Sequence, residues 1–171
     1  MTTELDNNQI HIRPFHPSDA ETILSWCKDK HTFRLWSADK YRSFPAHPQE
    51  MMKLYDNSKM HPLTAVIGNA IIGHFILRFP SEDKHYARLG FVIIDDKNRG
   101  KGYGRQMLRQ AIQYAHQKYQ VHTISLGVFC ENVSAIKCYK SVGFRITGND
   151  SYLIDGEEWD GVEMEFAIDK D

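Results

Sequence analysis

The chain has 171 residues, 42% of them hydrophobic, and a formal net charge of -1 at pH 7. That length buries one good core and is short for two, so a single domain over residues 1–171 is expected. The near-neutral balance excludes the basic field that nucleic acid or an anionic membrane surface would require. The first ten residues, MTTELDNNQI, lack the basic, apolar and small-residue zones of a signal peptide. No apolar run approaches the length of a membrane span, so no membrane is expected as a partner. Residues 10–15 alternate and predict a first strand, and residues 16–27 predict a helix that Ser18 or Asp19 can cap, with Glu21 suiting its N-terminal dipole.

Residues 31–61 are rich in aromatics and Met and carry no clear period, except that 48–56 fits a helix with Pro48 in its first turn. Strands follow over 63–67 and 70–79, with Gly68-Asn69 as the hairpin signal between them. Residues 88–95 contain a continuous apolar run and read as a central strand. Beyond it Gly104, Met107, Leu108, Ala111, Ile112 and Ala115 make one helical stripe. A strand over 121–129, a helix over 132–142 with Asn132 as its cap and Gly143 at its end, and strands over 144–147 and 161–168 complete the chain. The order predicts an α/β or α+β sheet protein. Cys27, Cys130 and Cys138 are odd in number and lack C-x-x-C spacing, which reads as reduced thiols of a cytoplasmic protein.

The segment NRGKGYGRQML, residues 98–108, sets Gly100, Gly102 and Gly104 on alternate positions among Arg99, Lys101 and Arg105, at a helix start. Glycine weakens a helix by about 1 kcal/mol relative to alanine, so three of them imply that something must come close to the backbone. The unpartnered N–H groups of a helix start and its dipole form an anion site, and missing Cβ atoms let a bulky phosphate in. The expected ligand carries phosphate or pyrophosphate. A Walker loop is excluded because Gly100-Lys101 is followed by Gly102 and the position five before Gly100 is Asp95. A dinucleotide loop is excluded because Met107 stands where its third glycine belongs, and QVHTI (120–124) supplies no acidic ribose partner.

Arg99-Gly100-Lys101-Gly102-Tyr103-Gly104 matches the [RQ]-x-x-G-x-[GA] signature of the GNAT superfamily of N-acetyltransferases, and NVSAIKCYKSVGF, residues 132–144, is similar to that family's N-x-x-A-x-x-x-Y-x-x-x-G-F segment. The chain resembles most closely the branch containing the ribosomal-protein N-terminal acetyltransferases. The resemblance implies a mixed, mostly antiparallel central sheet of about six to seven strands, about four flanking helices and a splay at the central strand. It implies acetyl-CoA as co-substrate, held by main-chain bonds from Val92, Ile93 and Ile94 and by Arg99, Gly100, Lys101, Gly102, Tyr103, Gly104 and Arg105. Arg99 and Arg105 read equally as phosphate contacts or as solvated helix-start charges, and Asn132 as a cofactor contact or a simple cap. Tyr139 matches the tyrosine that protonates the departing thiolate in many relatives, a task its phenol suits, and also reads as a packed aromatic. Cys138 is expected to point elsewhere. Relatives commonly form homodimers, although no residue identifies an interface.

The implied chemistry is direct attack by a neutral primary amine on an acetyl carbonyl polarised by a backbone N–H, with a base or water chain taking the amine's proton. Relatives supply that base as Glu either five residues before the Asn or at the start of the central strand; here these positions hold Gly127 and Arg88. Glu82, Asp83, His85 and Glu131 remain as candidates, each also readable as a solvated loop charge. Trp36 and Tyr41 fall where relatives place acceptor-site helices. Nine carboxylates against one lysine between Asp150 and Asp171 would draw a cationic acceptor (a polyamine, an aminoglycoside-like amine or a basic peptide end) or form a solvated hairpin. The nine histidines show no ligand spacing, so no metal is expected. Two other classes are carried: a non-catalytic acyl-CoA-binding or sensing module, motivated by the missing glutamates, and a nucleotide-phosphate binder of another fold.

Overall fold

The structure, a computed structural model, describes residues 8–169. Seven strands, β1 (His11–Pro14), β2 (Met60–Ile67), β3 (Ala70–Arg78), β4 (Tyr86–Ile94), β5 (Thr123–Phe129), β6 (Arg145–Ile154) and β7 (Glu157–Ala167), form one sheet in the order β1-β2-β3-β4-β5-β7-β6. Every neighbouring pair is antiparallel except β4–β5. Five helices accompany it among the described residues: α1 (Ala20–Leu24), α2 (Lys30–Ser37), α3 (Pro48–Tyr55), α4 (Tyr103–Tyr119) and α5 (Val133–Val142).

The predicted stripe of α4 is its buried face: Met107, Leu108, Ala111 and Ala115 are each at most 2% exposed and pack with Leu77, Leu89 and Ile124 of the sheet. The opposite face of the sheet offers Ile76 and Ile93 to a second core that includes Ile23, Phe33, Met51 and Tyr55 of α1, α2 and α3. The sheet is therefore covered on both sides, as an α/β layer arrangement requires.

Two predicted elements change. The helix expected over 16–27 is a 3-10 turn, Pro17–Asp19, followed by only five residues of α1. Asp19 does not cap α1. Its carboxylate turns back, accepting from the Arg13 guanidinium at 2.8 and 3.0 Å, the His16 N–H at 2.9 Å and the Thr64 hydroxyl at 2.8 Å. The short strands expected at 144–147 and 161–168 are instead a long hairpin, turned at Asp155-Gly156 with φ of 51° and 81°. Both residues take the left-handed conformation that an Asp-Gly turn supplies. The polar residues on β6 leave no apolar alternation to read.

The feature that positions the site lies at the sheet's centre. β4 and β5 pair only over Tyr86↔Thr123, Ala87↔Ile124 and Arg88↔Ser125, then part. On the other side of β4 the register slips, so that His74 faces Ile93 while Ile76 faces Gly90, and Phe91 takes φ of 50°. A bulge of this kind leaves extra residues outside the ladder. Phe91 and Val92 thus have no registered partner on either neighbouring strand.

Candidate active site

The parted strands open a cavity of about 1030 Å³. One end is made of main chain. It is lined by Val92, Ile93 and Ile94, by the loop from Asn98 to Gly102 except Lys101, by Tyr103, Gly104 and Arg105 at the start of α4, and by Asn132, Cys138 and Tyr139 from α5. Asp95 shapes the loop, accepting from the Lys97 N–H at 3.1 Å and the Asn98 amide at 3.3 Å, and Arg99 Nε donates to the Ile94 carbonyl at 3.2 Å. Gly100 and Gly102 have φ of 75° and 83°, which non-glycine residues rarely adopt, and a Cβ on either would meet nothing within 4 Å. Gly102 stands at the N-cap of α4, so the first-turn N–H groups lack intrahelical partners and a side-chain cap. Arg99, Arg105 and Lys137 line the same end, and Lys101 is exposed beside it. This arrangement fits a pyrophosphate.

Asn132 occupies the N-cap position of α5, where its carbonyl accepts from the Ile136 N–H at 3.1 Å; its Oδ1 accepts from Ser134 Oγ at 3.5 Å and not from a first-turn N–H, so the expected side-chain cap is not made. Tyr139 is buried at the cavity wall, and burial, with Cys138 beside it, pushes its phenol well above the ordinary value. It stays protonated across physiological pH. Cys138, expected to point away, also lines the cavity; burial raises its thiol, partly offset by the Arg105 charge.

The other end is made of side chains. Phe91 carries its ring to 5.5 Å from Trp36, 5.9 Å from Tyr55 and 6.3 Å from Tyr41. Trp36 lines the cavity, whereas Tyr41 is buried behind it. Deeper still, the Tyr55 hydroxyl donates to His74 Nε2 at 2.7 Å, because His74 Nδ1 donates to the Leu63 carbonyl at 2.8 Å. Burial lowers the His74 pKa to about 4, so the ring is neutral.

At this end Arg88 and Glu163 form a two-pronged ion pair at 2.6 and 2.7 Å, with Arg88 also donating to Ser125 Oγ at 3.2 Å. Gly127 lies against the pair: a Cβ there would stand 2.9 Å from Arg88 Nη2 and 3.2 Å from Glu163 Oε1. The two positions where the resemblance led one to expect glutamate thus adjoin in space, and a carboxylate from β7 reaches them. Glu163 was missed in the sequence, where it is one of nine carboxylates in a polar hairpin; its signal is the β5–β7 register that sets Gly127 opposite Glu163.

The other carboxylates stand elsewhere. Asp83 and His85 border a separate pocket with His122, Glu82 is exposed, and Glu131 pairs with His31 at 2.6 Å on the surface. Of the acidic stretch, Asp155 is taken by Lys30 and Arg34 and Glu158 by Ser151, and none of its described carboxylates lines the cavity. Among the described residues no group of three or more metal-ligating side chains is assembled, and no helix is long and apolar enough to cross a membrane.

Comparison with known proteins agrees with this geometry. The acetyltransferase (GNAT) family model matches residues 23–144. The L-amino acid N-acetyltransferase AaaT of Escherichia coli (strain K12) is 30% identical over 125 residues, which are 69% of this chain and 76% of that protein. The spermidine N-acetyltransferase from Vibrio cholerae, solved in complex with CoA and spermine, superposes with a TM-score of 0.78 at 22% identity, over 93% of this chain and 95% of that one. The ribosomal-protein-S5-alanine acetyltransferase from Vibrio fischeri gives 0.74 at 19% identity, over 98% and 96%. At those identities the two solved structures establish the fold.

Proposed function

The chain belongs to the acetyltransferase (GNAT) family, and from that premise we propose how its residues move an acetyl group from acetyl-CoA to a primary amine. It is an acetyl-CoA-dependent N-acetyltransferase, and nothing in its relatives favours the non-catalytic module. A nucleotide binder of another fold does not survive the sheet topology. The observation that carries the mechanism is the parted β4–β5 pair, which brings unpaired main chain at Phe91 and Val92 beside the glycine loop.

The free amides of residues 103–105, opened by Gly100 and Gly102 and flanked by Arg99 and Arg105, hold the pyrophosphate. Lys101 adds charge from outside. Val92, Ile93 and Ile94 bind the pantetheine arm through their backbone. Acetyl-CoA supplies a thioester carbonyl and a thiol leaving group. A backbone N–H of the unpaired 91–92 segment polarises that carbonyl oxygen. Tyr139 donates its proton to the departing sulfur, for which its burial keeps it ready. Asn132, released from capping, contacts the cofactor at the mouth of α5. Glu163 is the carboxylate nearest the positions where relatives keep their base, and we assign it the amine's proton, relayed through water because Glu163 itself stands behind Arg88 and Gly127. Trp36 and Phe91 wall the acceptor. We place the reaction in the cytoplasm, since Cys27, Cys130 and Cys138 are all unpaired thiols.

The test is thiol release from acetyl-CoA with a panel of amines, repeated with Tyr139→Phe. Turnover should fall about 100-fold in the variant, while acetyl-CoA binding by calorimetry is unchanged. Tight cofactor binding with no thiol release for any amine would return the chain to the binding-module reading.

A further inference from the structure

The charged side chains lining the cavity are Lys40, Arg78, Arg88, Arg99, Arg105 and Lys137, with no Asp or Glu among the described residues. Arg99, Arg105 and Lys137 belong to the phosphate end. Arg78 and Arg88 do not. They face each other across β3 and β4, and Arg88 is six residues up the strand from Ile94. At about 3.3 Å per residue that is about 20 Å from the glycine loop, so the pyrophosphate cannot neutralise them. Glu163 pairs with only one. It closes on Arg88 with both oxygens, while Arg78, half-buried and in the same cavity, has no ion pair with any described carboxylate. Two guanidiniums thus share one carboxylate, and the exposed Lys40 adds further positive charge to the cavity.

A half-buried guanidinium with no ion pair of its own is costly beside a second one: burial first, then the Arg88 charge, weigh against its protonated form, and Tyr86 and the more distant Glu163 charge offset this only in part. A ligand carboxylate in the cavity would supply the ion pair that Arg78 lacks. Guanidinium offers planar paired donors that match a carboxylate. We infer that the acceptor amine also bears a carboxylate, which Arg78 binds, so that the substrate class is an amino acid or short peptide and not a polyamine. The inference rests on the acceptor entering this cavity as proposed above. Trp36, Phe91 and Met60 line the same cavity, Met60 directly across from Arg78 in the sheet, and suit an uncharged side chain on the acceptor.

Calorimetry in saturating CoA, where no turnover occurs, tests it. A panel of α-amino acids and dipeptides is titrated, each matched with the amine that lacks its carboxylate (leucine against 3-methylbutylamine, for example), with spermidine alongside. At least one carboxylate-bearing member should bind at least tenfold tighter than its partner and tighter than spermidine. Arg78→Gln should erase that advantage, Arg78→Lys should keep part of it, and acetyl-CoA affinity should be unchanged in both, which also reports an intact fold. In turnover, Arg78→Gln should raise KM for that acceptor at least tenfold and leave KM for acetyl-CoA alone. If no carboxylate-bearing member outbinds its partner, if spermidine binds best, or if Arg78→Gln weakens matched partners equally, the inference is overturned. Because binding is read without chemistry, that outcome is distinct from absent thiol release, which would overturn the proposed reaction instead.

Discussion

The two ends of the cavity are built by different means. The donor end is main chain: an unpaired strand segment, two glycines at positive φ and the open amides of a helix start, all within residues 91–105. The acceptor end is side chain: Trp36 from α2, Arg78 from β3 and Arg88 from β4, with Glu163 of β7 held behind Arg88, spread over more than a hundred residues and joined only by sheet order. Backbone recognition asks for a fixed local spacing and tolerates little change. Side-chain recognition can be altered one residue at a time without disturbing the strands that carry it. A family can therefore share one donor and diverge in acceptor.

The sharpest break of this contrast is Gly102→Glu. It forces a side chain into φ of 83°, at a cost of about 1–2 kcal/mol, and puts a carboxylate at an anion site. Acetyl-CoA affinity by calorimetry should fall about 1000-fold, of which Gly102→Ala, sharing the strain without the charge, should reproduce only a small part. Acceptor binding in the absence of cofactor should not change. Retention of acetyl-CoA affinity within tenfold would sink the main-chain account of the donor end.

The acceptor end has its own weakness, acid. His74 supports the Tyr55–Phe91 wall and titrates near 4 when folded, against about 6.5 in an unfolded chain. As pH falls the unfolded chain takes the proton first. Stability is therefore full above 6.5 and declines toward pH 4, by about 3 kcal/mol in total. Asp19 acts lower. Burial would raise its pKa, but bonds from Arg13, the His16 N–H and Thr64 outweigh that and hold it at about 2, so its stabilisation persists above the ordinary carboxylate range and is lost toward pH 2. Denaturant titrations at pH 7, 5.5 and 4.5 should show the decline, and His74→Asn should flatten it. Hydrogen exchange at pH 5 should open α1, α2 and α3 before α4; uniform loss would mean the two ends are not separable.

What could be read from the sequence follows the same division. The glycine loop, the α4 stripe and the Gly68-Asn69 turn are local patterns, each fixed by backbone geometry within a few residues, and each is where it was expected. Tyr139 and Asn132, which line the cavity, stand out through a spaced motif over one helix and its cap. Arg78, Glu163 and Cys138 could not be, since their meaning lies in what faces them. Asp19 misled because its cap position was real in pattern but outbid by Arg13 and Thr64, which come from other strands. The β6–β7 hairpin was hidden by its polar residues, although Asp155-Gly156 marked its turn.

The smallest effect is expected where the acceptor end meets the chemistry. Glu163→Gln keeps the shape of the side chain and removes its charge. If Glu163 takes the amine's proton, kcat should fall about tenfold, a modest loss because water can substitute, and the optimum should move to higher pH, where more of the amine is already neutral. If Glu163 serves only as the counter-ion of Arg88, kcat and the pH profile should hold while KM for the acceptor shifts. The double variant Arg88→Gln/Glu163→Gln separates the two roles. A broken ion pair is relieved when both charges are gone, because the uncompensated partner causes much of the damage. Recovery in the double variant would leave Glu163 as scaffolding for Arg88. A tenfold loss that persists with Arg88 removed belongs to the proton, and would make the β7 carboxylate the stand-in for the glutamate that Gly127 lacks.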